Sequence, residues 1–101
     1  MKYNRIPSTL NVRFETIDDT KLRFAENVLV GLVMRSDSAV DPGTNLSIQI
    51  GVLSLSGSIE LLMKVIKCER ISNFEYDVYL NYTEKDFGKI EAIEDLIRDL
   101  A

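Results

Sequence analysis

From Val28 the chain reads Val-Leu-Val-Gly-Leu-Val-Met-Arg-Ser, pauses over a polar stretch ending in Asp41-Pro42-Gly43-Thr44, and resumes as Asn-Leu-Ser-Ile-Gln-Ile-Gly-Val up to Val52. The second run alternates strictly. Leu46, Ile48, Ile50 and Val52 share one face, and Asn45, Ser47, Gln49 and Gly51 share the other. A period of two is the period of a β-strand with one dry face. The first run is apolar apart from Gly31 before it reaches Arg35, as expected of a strand covered on both faces. Between them, Pro42 presets φ and Gly43 accepts a positive φ, which predicts a type II turn. A buried strand, a turn and a half-buried strand leave few options beyond a sheet.

The flanking segments extend that sheet. Leu10, Val12 and Phe14 alternate with Asn11, Arg13 and Glu15, and Asp18-Asp19-Thr20 reads as a turn. Lys21-Leu22-Arg23-Phe24 reads as a short second strand, and Leu55-Ser56-Gly57-Ser58 as a reversal. A long strand runs from Ile59 to Cys68, Ser72-Asn73 turns the chain, and Tyr76, Val78, Leu80 and Tyr82 alternate with polar residues. After Thr83 the period changes. Phe87, Ile90, Ile93, Ile97 and Leu100 recur at three and four, with Leu96 beside them, which predicts an amphipathic helix. Thr83 is the expected N-cap with Asp86 three residues on, and Gly88 is expected to let the helix approach the sheet. Residues 1–8 are polar, and Ile6-Pro7 opposes helix there.

The length of 101 residues supports one domain, 1–101: a flexible N-terminal segment over 1–8, strands over 9–83 and a helix over 84–100. The fold class is mainly β, and strands joined by tight turns point to a barrel or sandwich with the helix closing one end or face.

Composition limits the chemistry. A net charge of -4 opposes sequence-independent binding to DNA or RNA, which rests on many cationic contacts to phosphate. The chain has no histidine, so it lacks the most frequent general base and the commonest zinc ligand. It has no Gly-rich phosphate loop, and its single Cys68 forms no internal disulfide. No catalytic residue, metal site or cofactor is expected, and the protein reads as a non-enzyme. Asp18-Asp19 and the Asp37, Asp41 pair read as turn residues rather than cation ligands. Arg13, Arg23 and Arg35 read either as a cationic patch or, by preference, as arginines paired with acids. Tyr79, on the polar face of the last strand, is a candidate anchor for a protein contact. No window is apolar enough for a membrane span, and Met1 to Ser8 lack the apolar core of a signal peptide, so no membrane insertion and a cytoplasmic location are expected.

Three segments together resemble a PilZ domain. They are Tyr3-Asn4-Arg5-Ile6-Pro7 leading into Leu10-Asn11-Val12-Arg13-Phe14; Gly31-Leu32-Val33-Met34-Arg35-Ser36 with Asp41-Pro42-Gly43-Thr44 and the alternating strand; and Val78-Tyr79-Leu80-Asn81-Tyr82 before an acidic helix. The resemblance implies a six-stranded antiparallel β-barrel with a C-terminal α-helix. It also implies bacterial second-messenger signalling in motility, attachment or biofilm formation, with cyclic di-GMP as the family's ligand. The family binds it through Arg-x-x-x-Arg and Asp/Asn-x-Ser-x-x-Gly. Carried onto this chain, Arg5 falls on the second arginine while Met1 stands at the first with Lys2 nearby; Gly31 falls on the glycine, Glu26 on the acid and Val28 on the serine. Lysine does not reproduce an arginine fork, and valine makes no hydrogen bond. The expectation is therefore a PilZ-like adaptor working through a protein partner, with weak or no cyclic di-GMP binding. The alternative is a cyclic di-GMP receptor using Lys2, Arg5 and Gly31. An unpaired edge strand would also admit a homodimer.

Overall fold

Six strands and one helix follow one another in the computed structural model, which describes residues 2–17, 30–52 and 57–100 and not the side chains of Lys2, Val30 and Val52. They are β1 (Lys2–Arg5), β2 (Leu10–Thr16), β3 (Val30–Ser36), β4 (Asn45–Val52), β5 (Ile59–Ser72), β6 (Glu75–Tyr82) and α1 (Phe87–Leu100). The strands make one sheet in the order β1-β3-β6-β5-β4-β2.

The alternation read from the sequence fixes the inner face. Leu46, Ile48 and Ile50 of β4, Leu61, Met63 and Val65 of β5, and Val78, Leu80 and Tyr82 of β6 are buried together. The opposite faces of these strands carry Ser47, Gln49, Glu60, Asp77 and Asn81. β3 is buried on both faces from Gly31 to Met34, as its unbroken apolar run predicts. Gly43 has φ of 91°, and the Thr44 N–H donates to the Asp41 carbonyl at 3.2 Å, which closes the expected type II turn.

The helix begins later than expected. Asp86, not Thr83, is its N-cap: the Asp86 carboxylate accepts from the Gly88 and Lys89 N–H groups at 2.9 and 3.4 Å. Thr83 is buried, and its hydroxyl has no partner among the described residues. Ile93 and Ile97 enter the core, whereas Phe87 and Leu100 at the helix ends are exposed. Gly88 is exposed too, and a Cβ there would meet only the Asp86 carboxylate, so it does not mediate close packing on the sheet.

Two further expectations change. Residues 2–5 are a strand rather than part of a flexible segment: β1 pairs in parallel with β3, Lys2 opposite Val30 through Arg5 opposite Val33. The next N–H, of Ile6, still donates to Val33. A parallel pairing with a strand some 28 residues on has no local signature, because its hydrogen bonds are all long-range. It also means that the sheet is not wholly antiparallel. Among the described residues the edge strands β1 and β2 do not pair with each other, so the sheet is not closed. The strand expected at Lys21–Phe24 and the turns at Asp18-Asp19-Thr20 and before Gly57 lie outside the described residues. Among the described residues no helix is long and apolar enough to cross a membrane.

Candidate functional site

The outer face of β1, β3, β6 and β5 gathers the polar side chains that the inner face rejects. Register decides which of them meet. Arg35 of β3 lies opposite Asp77 of β6, and Arg5 ends β1 one strand further out. Arg5 grips Asp77 with both terminal nitrogens, Nη1 to Oδ1 at 3.0 Å and Nη2 to Oδ2 at 2.8 Å. Arg35 donates from Nε to the same Oδ1 at 2.9 Å, and its Nη1 donates to Glu75. One carboxylate, 8% exposed, thus holds two guanidinium groups about half exposed. The hydrogen bonds from Arg5, reinforced by those from Arg35, hold the Asp77 carboxyl down to about 2 despite its burial. The same contact with Asp77 pushes Arg5 up.

Beside this cluster lies an aromatic one. The Tyr3 hydroxyl donates to Asn81 Oδ1 at 2.8 Å, and its ring meets Tyr79 edge to face at 5.4 Å between centroids. Lys67 of β5 stands 5.2 Å from the centre of the Tyr79 ring. The Tyr3 ring also covers Gly31. A Cβ at Gly31 would fall 2.5 Å from the ring and would collide with the Leu80 carbonyl oxygen. The glycine is needed for that close approach of the chain to itself.

A cleft of about 390 Å³ opens at the end of β3, lined by Val12 and Phe14 of β2, Arg35, Ser36 and Asp37, Phe74 of the β5–β6 turn and Glu75 of β6. The sheet therefore curls enough for β2 and β3 to face each other across it.

The residues singled out from the sequence are only partly assembled. Arg5 and Gly31 lie on neighbouring strands, Tyr3 facing Gly31 in the register and Arg5 facing Val33. The backbone of Lys2 pairs with Val30, and its side chain is outside the description; Glu26 and Val28 lie outside the described residues. Arg35 is paired with acids, the preferred reading, while Arg23 is outside the described residues. Asp77, Tyr3 and Asn81 were not anticipated. The signal in the sequence was Asp77 itself, an aspartate in the middle of a strand, where aspartate is depleted. Among the described residues no three acidic or thiol groups gather as a metal site would need.

Compared with protein-family models, with curated proteins and with solved structures, the chain shows no significant match.

Proposed function

We propose that this protein is a non-catalytic, PilZ-like adaptor of bacterial second-messenger pathways. In this reading it works in the cytoplasm through protein–protein contacts, with little or no affinity for cyclic di-GMP. The observation that carries the reading is the engagement of Arg5, the one motif arginine present, by Asp77, which also holds Arg35. An anionic ligand would have to displace a bidentate carboxylate already in place, and it would find Gly31 covered by Tyr3. What remains on that face is a ready-made array of tyrosine, arginine, lysine and acid side chains, and tyrosine and arginine are enriched at protein interfaces. The curl that brings β2 and β3 to one cleft favours a PilZ-like barrel over a flat sheet.

The test is photo-crosslinking in cells. A benzoylphenylalanine replaces Glu75, exposed on this face, or Glu91, exposed on the helix, as control. The reading expects a protein adduct from position 75 that is absent from position 91. Equal labelling from both positions, or none from either, contradicts it.

A further inference from the structure

β5 is far longer than the strand beside it. Its residues 59–64 pair with β4, and Val65 exchanges backbone hydrogen bonds with Gly43 and Thr44. From Ile66 to Ser72 it runs on with β6 on one side, and no strand among the described residues pairs with the other. Free edges of this kind are usually guarded by a lysine or an arginine. Here both cations are tied back: Lys67 to Glu69 at 3.2 Å and over Tyr79, Arg70 to the Ser72 carbonyl and to Asn73. Of the five large apolar side chains exposed among the described residues, Ile66, Ile71 and Phe74 all lie on or beside this run. Among the described residues the edge thus carries exposed apolar side chains next to charges already engaged within the chain.

We propose that this edge pairs with the same edge of a second copy, antiparallel, about a two-fold axis through Cys68. The charges favour this partner and this register. A two-fold axis normal to the sheet keeps facing residues on one face, so one residue always faces its own symmetry mate. An axis through Lys67, Glu69 or Arg70 sets like charges directly opposite each other, which is destabilising. An axis through Cys68 instead sets Lys67 opposite Glu69 of the second copy, and Glu69 opposite its Lys67. The intrachain Lys67–Glu69 pair is thereby doubled into a four-charge cluster. Because a two-fold contact uses the same edge of both copies, pairing through it stops at two chains. This edge adjoins the Arg5–Asp77 face, since Lys67 and Glu69 lie opposite Tyr79 and Asp77, but the inference rests on the edge's own pairing and charges and not on the adaptor reading.

Sedimentation velocity from about 10 μM to about 1 mM would detect the weak association expected of so small an interface. A reversible dimer is expected. Lys67→Glu should weaken it at least about tenfold, and the swap Lys67→Glu with Glu69→Lys, which preserves the pair within each chain, should recover it to within about threefold. In the unaltered protein a short bis-maleimide should join Cys68 to Cys68, since facing residues have Cβ atoms about 5 Å apart. That arm does not depend on any variant folding. A monomer throughout the range overturns the proposal, as does a dimer that neither responds to Lys67→Glu nor crosslinks through Cys68.

Discussion

Asp77 carries more of the site than any other single residue. Its carboxylate holds Arg5 and Arg35 at once, and it is almost wholly buried beneath them. Those contacts give its folded-state pKa of about 2 a specific effect on stability. In the unfolded chain the group returns to about 3.9. Between those values the unfolded state binds more protons than the folded one, so stability falls as the pH falls. The contribution is fully present above about pH 5 and disappears as the pH drops through about 2, amounting to roughly 1–2 kcal/mol once the partial exposure of the arginines is allowed for. Denaturant midpoints measured from about pH 6 down to about pH 2 should therefore draw together for the wild type and Asp77→Asn, with the advantage of the wild type largest at the upper end. A difference that persists undiminished at low pH would mean that Asp77 acts through shape rather than charge.

At the level of elements, the helix is positioned by its cap and by one carboxylate. Asp86 closes the first turn, and Glu94 accepts from Asn4 of β1 at 2.8 Å and from the Tyr82 hydroxyl of β6 at 2.7 Å. Burial and the Glu94 contact push the Tyr82 phenol up. Asp86→Ala should cost about 1 kcal/mol, since the capping carboxylate satisfies the Gly88 N–H and shares the Lys89 N–H with the Asp86 carbonyl. Thermal melts should show this as a fall in Tm of about 4–8 °C with the fold retained, whereas Thr83→Ala would produce the cap-loss signature only if the helix began at Thr83. The sequence carried the strands of the hairpin and the helix stripe because each follows a period within a few residues. Helix onset was less legible: Thr83 and Asp86 are both competent caps, and the choice depends on Thr83 being drawn into the sheet by its N–H bond to the Leu62 carbonyl. The strand β1 was not legible at all, since its partner is the distant β3 and its residues are polar.

For the whole molecule, the same long-range pairing decides what the site can do. Arg5 and Gly31 were candidates only through the resemblance to a PilZ domain, and their neighbours were not legible. Only the docking of β1 brings Tyr3 over Gly31 and Arg5 onto Asp77, and only the β3–β6 register adds Arg35. On the proposed reading, the chain's own side chains therefore fill the place where cyclic di-GMP would be held. Amide NMR spectra recorded during titration with cyclic di-GMP to about 1 mM test this directly, because a ligand weak enough to be missed by heat still moves nearby resonances in proportion to its occupancy. The amides of Tyr3, Arg5, Gly31 and Asp77 are expected not to move. Saturable shifts at those four positions would contradict that reading and show a nucleotide receptor in which Asp77 gives way to phosphate.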